Sequence, residues 1–338
     1  MKVVVIPAYQ PDELLVGLVQ ELRQREFAVL VVNDGSDAAC DAVFDEVATQ
    51  AAVIRSPKNE GKGAALKRGF AAVSEYYPEC THVITADADG QHKVEDICRV
   101  SEQLDTGDSF VLTMRRFDGK IPARSKFGND LSRVVYTVMN GHYFDDNQSG
   151  LRGFSVDHLS WLQKVGGMKY DYEMNVLCYA DKQGIRIVGL PIEAVYIDGN
   201  RSSHFNPVQD TIRIYRRLFS SLWPSLVGVV VLEALLMLGS ILFGNEHCHF
   251  TVPTAVMLSA LLTVLLYRVV EFRCIPYRDG PRSILAAIIR AAAYTGIAFS
   301  VRLSSLTMIP LFVTVNVVAI GVLTAEYYVH KARHRIMK

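Results

Sequence analysis

The stretch ITADADGQH, residues 84–92, sets two carboxylates, Asp87 and Asp89, one residue apart directly behind an apolar run. In extended backbone alternate side chains point the same way, with Cβ atoms roughly 6.5 Å apart. Like charges held that close repel unless water solvates both or a cation sits between them. Asp and Gly are also common turn residues, so a solvated loop is the competing reading. With Gln91 close behind, the pair supplies hard oxygen donors of the kind that hold Mg2+ or Mn2+, and such an ion would bridge to a diphosphate.

Two further stretches carry related chemistry. In NEGKGAAL, residues 59–66, Lys62 lies between two glycines at the start of a helical pattern. Backbone N–H groups at a helix start, together with an ammonium, suit a phosphate. The GxxxxGK[ST] spacing of a Walker loop is absent. In VVNDGSDA, Asp34 and Asp37 flank a Gly-Ser turn. A carboxylate at such a strand end can accept hydrogen bonds from a nucleobase or a ribose. Asp37 serves equally well as a cap on the following helix. Base, diphosphate and metal together describe a nucleotide-activated donor.

These residues need a scaffold that brings them to one place. Residues 1–200 alternate apolar runs with amphipathic stretches, among them KVVVIPAY, AVLVVNDGS, AAVIRS and THVITADADG as strands, separated by DELLVGLVQELRQR, AACDAVFDEVATQ and GAALKRGFAAVSEYY as helices. Near-continuous Val/Ile runs joined by helices predict a parallel sheet covered on both faces. In such sheets ligands bind beyond the carboxyl ends of the strands. Pro7-Ala8-Tyr9, Asn33-Asp34-Gly35-Ser36 and Asp87-Ala88-Asp89 all fall at those ends.

The charge totals cancel, but residues 201–338 carry 14 Lys+Arg against 6 Asp+Glu, which leaves a net −8 on the first 200. An acidic front half argues against nucleic acid, and a basic, apolar rear half suggests a membrane surface. The six cysteines form no CxxC pair, so neither a disulfide framework nor a zinc site is indicated. Four apolar stretches, 225–243, 252–270, 284–303 and 307–328, each approach the ~20 residues of a membrane-crossing helix. Arg273, Arg278 and Arg282 in the middle connection and a basic tail at 331–338 place both termini in the cytosol by the positive-inside rule. The start MKVVVIPAY has no signal-peptide pattern, which agrees. Segments 124–141 and 210–223 mix Arg/Lys with aromatic and aliphatic residues, as interfacial amphipathic helices do; ordinary surface helices are the alternative. Glu233 and Arg290, inside two of the spans, form a candidate intramembrane pair. His92, His204 and Trp161 read as packing or hydrogen-bonding residues rather than ligands.

As an ordered set, IPAYQPDE, VVNDGSDA, NEGKGAALKRGF and ADADGQH resemble a family 2 glycosyltransferase of the GT-A fold. The later stretches RRFDGKIPARSKFGN, SGLRGF, YDYEMNVL and NRSSHFNP are similar to the dolichyl- and undecaprenyl-phosphate sugar synthases within it. The four-span tail resembles GtrA-like membrane domains. The resemblance implies a Rossmann-like, mostly parallel α/β catalytic domain over residues 1–205. A linker helix follows at 206–224, then a four-span membrane domain at 225–330. It implies that Pro7, Ala8, Tyr9, Asp34, Gly61 and Lys62, with Asp87 and Ala88, hold the nucleotide-sugar, and that Asp87, Asp89 and Gln91 hold Mg2+ or Mn2+. Arg115, Arg124, Arg152, Arg201 and Ser203, with Asp89, would serve catalysis by facing the donor diphosphate or an acceptor phosphate. The family often has YNE where this chain has Tyr9-Gln10-Pro11, which leaves open whether Glu13 takes that acidic role. No QxxRW pattern is present, so transfer of a single sugar is implied.

The implied reaction moves one sugar from a UDP- or GDP-linked donor to a polyprenyl phosphate, with inversion at the anomeric carbon. A phosphate acceptor is largely dianionic at pH 7 and needs no strong base. A lipid hydroxyl acceptor would need one, and Asp146 is the candidate. A lipid-sugar translocator with a regulatory nucleotide-binding half is a further alternative. Membrane lipids are expected partners, and the oligomeric state is open, a homo-oligomer included.

Overall fold

In the computed structural model of the chain, the described residues are 1–116, seven positions within 129–137, 142–194, 223–243 and five positions within 254–262. The chain divides into two compact units. The first comprises Met1–Val134 and Phe144–Arg217, the second Val135–Tyr143 and Leu218–Lys338.

The first unit is an α/β domain built on one seven-stranded sheet. Its strands are β1 (Lys2–Ala8), β2 (Ala28–Asn33), β3 (Ala52–Arg55), β4 (His82–Thr85), β5 (Phe110–Arg116), β6 (Arg152–Ser155) and β7 (Ile187–Glu193). Helices α1 (Leu14–Gln24), α2 (Asp41–Ala48), α3 (Lys62–Tyr76) and α4 (Val94–Asp105) connect them, and α5 (Leu159–Leu162) and α6 (Asp171–Lys182) precede β7. The sheet order is β3-β2-β1-β4-β6-β5-β7. Strands β1 to β4 pair in parallel, Val3–Ala8 against Ala28–Asn33 and Lys2–Val5 against His82–Thr85. The strands and helices expected for residues 1–90 are all present.

Beyond β4 the sheet departs from a purely parallel plan. Strand β6 runs antiparallel to both of its neighbours, with Thr85 opposite Arg152 and Leu112 opposite Arg152. β7 then pairs in parallel with β5 over seven residues. Because β6 is reversed, its beginning lies at the edge where β4 and β5 end. The loop ahead of it, residues 146–151, is thereby delivered to the same rim as the turns after β1, β2 and β4.

Strand alternation divides the core into two layers. Val4, Ile6, Val29, Val31 and Ile84 are buried with Leu15, Leu22, Phe44, Ile97 and Val100 of α1, α2 and α4. On the opposite face α3 lies against β1 and β2 and against α5 and α6. There Phe70 meets Phe154 edge-on at 6.2 Å, and Phe154 meets Phe110 at 4.6 Å. α3 approaches β1 so closely that a Cβ on Gly69 would stand 2.4 Å from Val5 Cγ1.

In the second unit the principal described element is helix α7, Trp223–Phe243, a 21-residue run within which Glu233 is the single charged residue. Several of its side chains, Glu233 among them, lie outside the described set. Among the described residues no helix is long and apolar enough to cross a membrane. The expected spans at 284–303 and 307–328, all but five positions of the span at 252–270, Arg290 and most of the amphipathic segments 124–141 and 210–223 fall outside the described residues.

The α3–β1 approach makes a measurable prediction. Gly69→Ala should gain about 1 kcal/mol of helix propensity but lose more to overpacking against a β-branched core side chain, for a net destabilisation of about 1–2 kcal/mol. Denaturant unfolding of the variant beside the parent chain tests this; a more stable variant would mean that the layer can shift.

Candidate active site

The rim is assembled from turns after separate strands. After β1, Pro7 is half-buried, Ala8 buried and Tyr9 exposed. The Asp34 N–H donates to the Ala8 carbonyl at 2.9 Å, and the Gln10 N–H donates to Ser36 Oγ at 2.9 Å. The first two turns are therefore stitched together before any ligand arrives. Glu13, the residue ahead of α1, is exposed, and Ala88 is half-buried within the third turn.

Asp34, expected to meet a base or ribose, lies buried at the end of β2. It is 2% exposed. Its two oxygens accept the Glu60 N–H at 3.1 Å and the Gly61 N–H at 2.7 Å, with Arg68 at 3.6 Å. Burial pushes its carboxyl up from the ordinary value, against those backbone donors and Arg68, which pull it down. Asp34 thus fixes the loop that starts α3. Gly61 takes φ +105°, and a Cβ there would lie 2.6 Å from the Met168 carbonyl oxygen. Both the turn and the packing require glycine.

Lys62, the first residue of α3, is the centre of the site. Its ammonium lies 2.6 Å from Asp87 Oδ1 and 3.0 Å from Glu173 Oε1, with the Tyr170 ring 5.8 Å away. Burial disfavours its charge, yet Asp87 and Glu173 together hold it well above the ordinary lysine value. Asp87 shows the reciprocal effect. Burial alone would raise it, but Lys62 holds its carboxyl down to about 2. Asp89 moves the other way: burial first, then the neighbouring Asp87 charge, push it up to about 6. Of these two neighbouring carboxylates, one is held charged by Lys62 and the other resists charge.

The backbone carrying this pair is not the extended strand that its spacing suggests. β4 ends at Thr85 and residues 88–90 form a turn, with Gly90 at φ +71°. The Asp89 carboxylate accepts the Gln91 N–H at 3.1 Å. His92, buried, accepts the Asp87 N–H on Nδ1 at 3.0 Å. Burial lowers it to about 4. The imidazole is therefore neutral and protonated on Nε2, a hydrogen-bonding residue, as expected, that orients Asp87.

The loop ahead of β6 closes the site. A Cβ on Gly150 would stand 2.6 Å from Asp87 Oδ2 and 2.8 Å from Lys62 Nζ. Arg115 grips Asp146, with Nε to Oδ2 at 2.6 Å and Nη2 to Oδ1 at 3.3 Å, while Gln148 N–H adds a bond at 2.9 Å. Burial opposes the Asp146 charge, but Arg115 and these donors hold its carboxyl below the ordinary value. It is a poor general base.

Arg152 departs from the expectation that it faces a phosphate. It is 2% exposed, its Nε donates to the Ser149 carbonyl at 2.9 Å, and Nη1 donates to the Glu173 carbonyl at 2.6 Å. The guanidinium ties the incoming loop to α6 from beneath. Arg124, Arg201, Ser203 and His204 lie outside the described residues. Trp161 stacks on Tyr179 and donates to His158, a packing role as expected. Glu173 and Gly150 are the functional residues that local pattern did not single out. Each lies in a stretch whose resemblance had been noted, YDYEMNVL and SGLRGF.

Residues 3–159 match the Glycosyl transferase family 2 model. That match covers a little under half of the chain. Among curated relatives, the UDP-N-acetylglucosamine–dolichyl-phosphate N-acetylglucosaminyltransferase of Methanococcus voltae is 25% identical over 63% of this chain and 93% of its own. The undecaprenyl-phosphate mannosyltransferase of Micrococcus luteus is 28% identical over 56% of this chain and 82% of its own. Among solved structures, glucosyl-3-phosphoglycerate synthase of Mycobacterium tuberculosis, in complex with Mn2+, UDP and phosphoglyceric acid, aligns with 65% of this chain and 78% of its own at 20% identity and a TM-score of 0.49. The sheet of the first unit is mixed and mostly parallel.

Among the described residues no group of three or more His, Cys, Asp or Glu forms a metal centre by itself. The two carboxylates of the 87–89 turn are hard oxygen donors, and they would fit a divalent ion completed by water and diphosphate oxygens, with the expected Gln91 amide beside them in sequence. Such an ion must displace the proton that Asp89 retains. Raising this carboxyl to about 6 favours the protonated, ion-free form below that pH. The apparent affinity for Mn2+ should therefore fall about tenfold for each pH unit below 6 and level off above about 7. Titration with Mn2+ followed by electron paramagnetic resonance checks this; a flat profile down to pH 5 would contradict the coupling.

Proposed function

We propose that this chain transfers a single sugar from a UDP- or GDP-linked donor to the phosphate of a polyprenyl phosphate, at the cytosolic face of a membrane that its C-terminal region spans. The observation that carries the acceptor class is the state of Asp146. A hydroxyl nucleophile requires a base that can take its proton. Asp146, the candidate for that task, is enclosed and accepts hydrogen bonds from Arg115 and Gln148. A lipid phosphate needs only to be held, because it is already anionic at neutral pH. The relatives from Methanococcus voltae and Micrococcus luteus differ in sugar but share a polyprenyl phosphate in their names, which supports the same acceptor here and leaves the sugar open.

In this reading Asp87, Asp89 and Gln91 hold Mg2+ or Mn2+, which when bound supplies positive charge against the departing diphosphate. Lys62 and the start of α3 add an ammonium and a helix N-terminus on the same side of the rim. Asp34 keeps the 60–61 loop in register for that task, and Pro7, Ala8 and Tyr9 line the approach for the nucleotide. Arg115 keeps one guanidinium at the rim, 29% exposed, although its best hydrogen bonds go to Asp146. Arg124, Arg201 and Ser203 belong to the same proposal as groups for the acceptor phosphate. Arg152, buried, enters it as a support, because its Nε and Nη1 bond the Ser149 and Glu173 carbonyls. Attack opposite the leaving group inverts the anomeric centre.

The C-terminal region, with its apolar stretches between 225 and 328, belongs to the proposal as a four-span GtrA-like anchor that keeps the rim beside the lipid phase. A catalytic domain and both termini on the cytosolic side complete the arrangement.

Purified full chain, offered a panel of nucleotide-sugars with polyprenyl phosphate and Mn2+, should release nucleoside diphosphate and form a glycosyl phosphate lipid of inverted configuration, read by mass spectrometry and NMR. Diacylglycerol in place of the polyprenyl phosphate should give nothing. Asp89→Asn should reduce turnover at least a hundredfold while the fold, judged by circular dichroism, is retained. Product formed on the hydroxyl lipid, or turnover that survives chelation of the metal, would overturn the reading.

A further inference from the structure

Lys62 stands between two carboxylates in different surroundings. The Asp87 side chain lies at the rim, 28% exposed, in the same turn as Asp89. The Glu173 side chain is 10% exposed and sits on α6, whose backbone is tied to Arg152 at the Glu173 carbonyl. The ammonium is 2.6 Å from the first and 3.0 Å from the second. A divalent ion drawn to Asp87 and Asp89 brings two positive charges to a carboxylate that already has one against it. Unit charges at about 4 Å interact by several kcal/mol even at an effective dielectric near 20, so ion and ammonium cannot both keep Asp87 as a close partner at no cost. The ammonium has little room to withdraw. The Gly150 backbone closes one side, where even a Cβ would come within 2.8 Å of Nζ, and the Tyr170 ring stands 5.8 Å off. The nearest remaining anion is Glu173.

We propose that Lys62 is the resident counter-ion of Asp87 when no divalent ion is bound, and that Glu173 is the positioning residue that keeps the ammonium at the rim once the ion takes Asp87. Glu173 then serves two purposes. It lowers the cost of releasing Asp87, so the site accepts metal more readily, and it prevents Lys62 from leaving for solvent, so the ammonium stays within reach of a donor diphosphate. In the ion-free rim the single ammonium offsets part of the negative charge of Asp87 and Glu173 and so reduces their mutual repulsion. The inference rests on the assignment of Asp87 and Asp89 as metal ligands.

The test is Mn2+ affinity of the full chain without nucleotide, measured by electron paramagnetic resonance at a pH of about 7.5, where both rim carboxylates are ionised. Lys62→Met removes the competitor and should tighten Mn2+ about tenfold. Glu173→Gln leaves the ammonium with Asp87 as its sole carboxylate partner and should weaken Mn2+ by a similar factor. Opposite signs from two neighbouring buried substitutions are not what general damage to the fold would give, since that would weaken both. Lys62→Met that binds Mn2+ no tighter than the parent, or Glu173→Gln that binds as well as the parent, would overturn the proposal. Should either single variant fail to fold, the pair Lys62→Met with Glu173→Gln removes one charge of each sign. It should still bind Mn2+ more tightly than the parent chain, and equal or weaker binding would again overturn it. Asp89→Asn is the separate control: if it leaves Mn2+ affinity unchanged, the metal assignment itself fails, whatever the Lys62 and Glu173 variants do.

Discussion

Negative charge confined at the edge of a sheet is the constraint around which this domain is arranged. Asp34, Asp87, Asp89, Asp146 and Glu173 all gather where strands β1, β2, β4 and β5 end and β6 begins, each wholly or partly withdrawn from water. A buried carboxylate without a partner is costly, and several together cost more. Each of the five has a different solution. Asp34 takes two backbone N–H groups, Asp146 takes Arg115, and Asp87 and Glu173 share Lys62. Asp89 accepts backbone N–H bonds from Gln91 and from its own residue, yet burial and the neighbouring Asp87 charge push it toward its protonated form.

The scaffold that makes this arrangement possible depends on one reversed strand. Parallel strands joined by helices bring the turns after β1, β2 and β4 to the same edge, but they offer no means of covering that edge from above. By running antiparallel between β4 and β5, β6 brings the 146–151 loop in over the Asp87 turn. Gly150 passes so close to Asp87 and Lys62 that no side chain fits. Arg152, at the first position of β6, anchors the loop by bonding the Ser149 and Glu173 carbonyls. Its buried charge has a structural task in joining the loop to α6, and α6 in turn presents Glu173 to Lys62.

The two arginines differ in their surroundings. Arg115 remains partly exposed and shares its guanidinium with Asp146, whereas Arg152 is enclosed. Nothing in the local pattern of either residue distinguishes them, since each stands in a strand at the edge of the sheet. The distinction arises from strand direction: β5 runs on beyond its pairing with β6, still alongside β7, to reach Arg115, while β6 begins with the buried Arg152.

What the amino-acid order determined by itself is the part encoded at short range. Apolar runs spaced by amphipathic stretches define β1 to β4 and α1 to α3, and the residues that end each strand identify the rim, because period and turn chemistry are local properties. Asp87, Asp89 and Lys62 are legible for the same reason. Tertiary structure alone decided that Asp87 and Asp89 sit on a turn rather than an extended strand, and that Asp34 serves the 60–61 backbone. It alone decided that Arg152 is buried, that Asp146 belongs to Arg115, and that Glu173 completes the cage around Lys62. Those partners lie 26 to 111 residues apart in the chain, and one of them depends on a strand whose direction four residues of pattern cannot reveal. Charge pairing at such separations follows from sheet order, and sheet order is a property of the folded whole.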